Sequence, residues 1–139
     1  MTVTDTYPPA LGTDPSDEQL EDFVADFCLD PCDERALLWM YLGPDGVPVG
    51  PSIALTDLPL EPTRDRAELL AARIGEVADW VGASSVLLVW QSTDETLSAS
   101  FDDQRWAAAI LPCLERGDVF VHPPMRRTPS DVRRLVPAV

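Results

Sequence analysis

Hydrophobic and polar positions along this chain switch between two rhythms, and each switch marks an element. Leu20, Phe23, Val24, Phe27 and Cys28 recur at helical spacing, with Asp17, Glu18, Glu21, Asp22 and Asp26 opposite them. Ser16 with Gln19 forms a capping-box pattern ahead of this helix, and Asp30-Pro31 ends it. Ala36 to Leu42 (ALLWMYL) is a strand-length apolar run, and Gly43-Pro44-Asp45-Gly46 signals a turn into a second strand, Val47 to Leu55. Pro48 and Pro51 cannot donate to a ladder, so that strand belongs at an edge or carries a bulge. Thr63 caps the longest helix, which runs to about Val81 on a stripe of Leu70, Ile74, Val77 and Val81, with Leu69 and Trp80 beside it. Gly82 is placed to end it.

Val86-Leu87-Leu88-Val89-Trp90 follows almost at once and has the unbroken apolarity of a strand buried on both faces. A crossover through the long helix is expected to be right-handed if the strands it joins are parallel. A polar loop, Gln91 to Ser98, leads to a helix expected to start at Ser100, with Asp103 suited to its free N–H groups. That helix carries Phe101, Trp106, Ala109, Ile110 and Leu114; Pro112 is expected to kink it or end its regular part, and Gly117 to terminate it. Asp118 to His122 (DVFVH) reads as a fourth short strand. Thr128-Pro129-Ser130-Asp131 predicts the cap of one short helix carrying Val132, Leu135 and Val136.

The order α-β-β-α-β-α-β predicts an α/β fold, with α+β the alternative. The architecture expected is a small three-layer one, about four strands with flanking helices. Residues 1–15 read as a flexible proline-bearing arm, 16–122 as the domain, and 123–139 as a basic tail docked on an acidic body. Trp39, Trp80 and Trp90 are expected in the core. Trp106 is expected to be partly exposed and to anchor a protein partner together with Arg126, Arg127, Arg133 and Arg134.

Composition narrows the function classes. The 139 residues include 24 acids against ten bases, for a net charge of −14, which disfavours nucleic acid as a partner. Every base is arginine and none is lysine, a bias that fits GC-rich coding and, with the acidity, a bacterial protein. No run approaches a membrane span, and the first residues lack signal-peptide character, so a cytoplasmic setting is expected. Cys28, Cys32 and Cys113 do not form a disulfide framework. With His122 they could make a zinc site, although their spacing is looser than structural zinc sites use.

Other chemistry is thin. His122 is the single histidine, with Ser130 and Cys113 its conceivable nucleophilic partners; a half-exposed position at an edge-strand end is expected for it. Asp57, Asp94, Glu95, Asp102 and Asp103 could gather at one sheet end around a hard cation or form a solvated rim.

The order of elements, with the polar loop after the central strand, resembles the JAB/MPN metallopeptidase-like domain, especially its RadC-type branch, over about residues 33 to 122. Glu34 in DERALLWMYLGPDG stands where that family has its glutamate, VLLV matches the strand, and Ser100 and Asp103 in SASFDD match its serine and aspartate. The resemblance implies a metal on two histidines and the aspartate, with the glutamate as base for a bound water. The two histidine positions here read Trp90 and Ser92, and the loop's proline and glycine are replaced by Thr93 and Glu95. Two of three protein ligands are therefore absent, leaving Glu34, Asp103 and His122 as weak candidates for chemistry and Asp103 as the lone candidate ligand.

A non-catalytic protein-interaction module with a degenerate JAB/MPN-like core is therefore expected. It needs no cofactor and could form a homodimer. A metal-assisted hydrolase with a rebuilt acidic site, or an acidic decoy for a basic partner, are the alternatives.

Overall fold

The two long apolar runs form the centre of the sheet in the computed structural model, which describes residues 15–27, 35–50 and 52–138. Cys28, Cys32, Glu34 and nearly all of the expected N-terminal arm lie outside the described residues. Strand β1 (Ala36–Leu42) pairs antiparallel with β3 (Ser85–Gln91) along its whole length, from Ala36 opposite Gln91 to Leu42 opposite Ser85. Strand β2 (Ile53–Leu55) lies outside β1 and forms one edge, the position its prolines require. Only three residues of the expected second strand pair regularly; Pro48 makes an isolated bridge to Leu42.

The fold is α/β with helices on both faces of the sheet, as expected. On one face, Leu37, Trp39, Tyr41, Val86, Leu88 and Trp90 meet helices α2 (Arg64–Val81) and α3 (Leu97–Glu115). On the other, Met40, Leu42, Leu87 and Val89 meet Leu20, Phe23 and Val24 of helix α1 (Asp17–Phe27). Alternate residues of β3 thus enter two separate cores, which is why its sequence carries no polar alternation. Capping agrees with expectation at α1, where Ser16 and Gln19 exchange hydrogen bonds of 2.8 and 3.2 Å. At α2, Thr63 accepts from Arg66 N–H, and Gly82 takes the left-handed φ of 72°.

Several expectations change. The buried stripe of α2 is Ala67, Ala71, Ile74 and Ala78, and the larger Leu70, Val77 and Val81 pack around it. Small side chains on that stripe let the helix approach the sheet closely. Trp80 is consequently 85% exposed and Leu69 is exposed as well. Helix α3 is capped four residues earlier than expected: Thr96 takes the place of Ser100 as its cap, accepting from Ala99 N–H at 3.3 Å, and Ser100 already sits within the first turn. It continues through Pro112 to Glu115, since the missing N–H falls near the end, where one lost bond does not stop the helix.

The largest correction concerns residues 123–139. The expected tail helix is instead a hairpin, β5 (Met125–Thr128) and β6 (Asp131–Arg134), turning at Pro129-Ser130. Among the described residues the sheet therefore has six strands instead of four, ordered β2-β1-β3-β5-β6, with the short β4 (Phe120–Val121) also on β3. Strands β4 and β5 both run parallel to β3: Ser85 and Val86 pair with Phe120 and Val121, and Val89 to Gln91 pair with Met125 to Arg127. Pro123 and Pro124 lie between the two pieces, where the ladder slips by one residue. The last segment is thus an integral edge of the sheet. Among the described residues, no helix is long and apolar enough to cross a membrane.

Two glycines make opposed expectations. Gly50 has φ 68°, and a Cβ there would meet Val81 Cγ1 at 2.8 Å, whereas a Cβ on Gly75 within α2 meets nothing within 4 Å. Gly50→Ala should lower stability by about 1–3 kcal/mol, and Gly75→Ala should raise it by up to about 1 kcal/mol. Urea denaturation of the two variants beside the parent chain checks both signs.

Candidate functional site

The corner that follows β3 is the place where an α/β sheet commonly presents its chemistry. Trp90 is in register with Leu37 on β1 and Arg126 on β5, so these three side chains share the face covered by α2 and α3. Asp103, on the inner side of α3, descends onto the same corner and is almost completely buried. Its two oxygens are taken by two arginines. Arg126 Nε donates to Oδ2 at 2.9 Å, and Arg35 Nε donates to Oδ1 at 3.3 Å. Arg35 Nη2 lies 3.2 Å from Oδ1 as an ion pair without hydrogen-bond alignment.

Both arginines are themselves held. Arg35 Nη1 donates to the carbonyls of Leu58 and Pro59 at 2.7 and 3.2 Å, and Arg126 Nη2 to Asp94 O at 2.9 Å. Trp106 Nε1 secures the same loop from the helix side, donating to Pro59 O at 2.6 Å. Burial pushes the Asp103 carboxyl upward, while the Arg126 hydrogen bond and the Arg35 charge oppose that push.

A metal does not fit this corner. Trp90, where the resemblance would call for a first histidine, is a fully buried indole whose Nε1 has no hydrogen-bond partner. Ser92, where it would call for a second, uses its hydroxyl locally, donating to Asp94 O at 3.2 Å and accepting from Asp94 N–H at 3.1 Å. Asp103 has no oxygen free of a guanidinium, and two cations already occupy the space in which a third charge would sit. Asp103 and Ser100 therefore do not act as the helix cap that the sequence suggested.

Of the acidic-rim candidates, Asp57 is exposed, and the other four are engaged separately. Asp94 accepts from Thr96 N–H, which lowers its pKa, and Glu95 holds the Ser130 hydroxyl and N–H, which lowers its own. Asp102 pairs with Arg105 at 2.8 Å. Among the described residues, no group of three His, Cys, Asp or Glu side chains could hold a metal ion.

His122 and Asp103 stand at opposite ends of β3. His122 N–H donates to Val86 O, near the start of the strand, while the Asp103 corner lies beyond Trp90, roughly 15 Å further on. Contrary to expectation His122 is buried, with Nε2 3.0 Å from Ser85 Oγ and Phe120 edge-on at 5.1 Å. Parallel pairing of β4 with β3 draws it inward. Ser130 is committed to Glu95, and Cys113 contacts Ala109 O and Arg116, so neither is paired with the imidazole.

The expected partner-binding set divides. Trp106 is only 1% exposed, packed between α3 and the sheet, and so is a core residue and not a surface anchor. Arg126 and Arg134 bind the chain's own acids, Asp103 and Asp17, which is the docking expected of the tail. Arg127 donates to Gln91 Oε1 at 2.8 Å, and Arg133 pairs with Asp131. Arg35 was not singled out from sequence; an arginine immediately before an apolar strand was the available signal. A scan of protein-family models and a search of curated proteins both find no match to this chain.

Burial lowers the pKa of His122 from 6.5. The unfolded chain therefore takes up a proton that the folded chain resists, and the stability His122 contributes above pH 6.5 is lost as pH falls below that value through the depressed folded pKa. Denaturant melts between pH 8 and 5 should show this loss in the parent chain and a flatter profile in His122→Gln.

Proposed function

We propose that the protein is a non-catalytic α/β interaction module, built on a JAB/MPN-like core whose metal corner has become an arginine–carboxylate clamp. The observation that carries this reading is Asp103, the single metal-ligand position retained in the sequence, buried with both oxygens engaged by Arg35 and Arg126. A carboxylate so placed ties elements together and is closed to an incoming ion or substrate. The outer surface supports a binding role: Leu97 is 89% exposed, Phe101 follows it one helical turn on, and Leu60 and Trp80 are also exposed. The hydrolase alternative finds no support in the separation of His122 from Asp103. The decoy alternative loses ground where the last arginines neutralise the body's acids.

Two measurements test this. Titration of the purified chain with zinc and with magnesium by calorimetry should show no stoichiometric binding; stoichiometric zinc that disappears in Asp103→Asn would overturn the proposal. Removing one cation leaves a buried carboxylate short of a partner, so Arg126→Ala should cost about 3 kcal/mol in urea denaturation.

A further inference from the structure

The outer side of α2 carries apolar surface that the core leaves uncovered. Its inward stripe is Ala67, Ala71, Ile74 and Ala78, so the residues half a turn away point from the sheet into solvent. Those residues are Leu69, Arg73, Glu76 and Trp80. Leu69 is 59% exposed and Trp80 85%, and neither belongs to a core cluster among the described residues. Eleven residues are close to three helical turns, so the two apolar side chains stand on one line roughly 16 Å apart, with the two charged ones between them. Arg73 and Glu76 already pair along the helix at 3.4 Å, both about two-thirds exposed. Such a pair contributes little by itself and leaves Leu69 and Trp80 in water.

The geometry points to a second copy of this chain as the occupant of that face, joined by antiparallel packing of α2 on α2 about a two-fold axis. Leu69 precedes Arg73 by four residues, and Glu76 precedes Trp80 by four. Reversing the helix about the midpoint between Arg73 and Glu76 therefore sets Trp80 on the mate's Leu69 and Arg73 on the mate's Glu76. An isologous interface requires this self-complementarity, whereas contact with an unrelated protein does not. Burial of two indoles and two leucines drives the contact, and the charges set only direction and register. A parallel mate would oppose Arg73 to Arg73 and Glu76 to Glu76, and a shift of one turn would lose both leucine–tryptophan contacts. Each exposed indole offers roughly 200 Å². With Leu69 and the stems of the charged residues, the total comes to about 1,000 Å², the low end of specific interfaces, so association belongs at tens to hundreds of micromolar. The dimer gives the interaction module a partner without resting on that reading, since nothing in it involves Asp103.

Sedimentation equilibrium on the full chain, across tens to hundreds of micromolar, should approach twice the 15.3 kDa chain mass. Each copy carries a net charge of −14, so raised salt should strengthen the association by screening that repulsion. Trp80→Ala should weaken the dimer at least tenfold and leave the monomer as stable in urea as the parent, because the side chain enters no core. Arg73→Glu and Glu76→Arg should each weaken it too, and an equimolar mixture of these two variants should recover it, since each altered site then faces its complement. Trp39, Trp90 and Trp106 are buried, so acrylamide quenching reports chiefly on Trp80 and should fall as protein concentration rises. Circular dichroism of each variant checks that the monomer is folded. A monomer at every concentration refutes the proposal, including the case in which a different protein covers this face. A dimer that survives Trp80→Ala, as one built on Leu97 and Phe101 would, refutes it as well, and so do charge variants that fail to recover on mixing.

Discussion

A carboxylate taken out of water must be met by positive charge or hydrogen-bond donors, and in this chain that demand falls on Asp103. Its two arginines come from the residue before β1 and from the middle of β5, so one buried group fixes the relation of α3 to both flanks of the central strand. Each arginine also donates to loop carbonyls, Arg35 to those of Leu58 and Pro59 and Arg126 to that of Asp94. The loop before α2 and the loop before α3 are thereby held without secondary structure of their own. Trp106 reinforces the first through its indole N–H. A metal in the same corner would tie ligands together from the inside; the clamp does a comparable mechanical job with side chains alone.

The parts of the fold that were legible in the sequence are those set by local chemistry. The Thr63 and Ser16 caps, the left-handed Gly82 and the doubly buried run from Val86 to Trp90 each follow from residue type and immediate neighbours. The misread elements depended on partners distant in sequence. Thr128-Pro129-Ser130-Asp131 has the composition of a helix cap and of a two-residue hairpin turn alike, and the open flank of β3 decided between them. The α2 stripe was assigned by side-chain bulk, but close packing against the sheet and α3 favoured alanine. That choice rotated Trp80 outward, while Trp106 on α3 turned in toward the loop carbonyl of Pro59.

The candidate site was legible as a location and illegible as a state. The strand end, the loop and Asp103 were all visible, as was the absence of histidine at Trp90 and Ser92. What the sequence could not show was that Asp103 serves as a counter-charge, because Arg35 and Arg126 lie 68 and 23 residues away from it. His122 is a similar case. As the last residue of a short strand it looked half-exposed, and only the parallel pairing of β4 with β3 buries it.

The break at Pro123-Pro124 bears on how the corner closes. Without the last hairpin, Asp103 has at most one of its two counter-charges, and β3 has β1 on one flank of its second half and nothing on the other. Seating the hairpin beyond the prolines therefore completes the sheet and satisfies the buried carboxylate in the same step, which couples the last segment to the core.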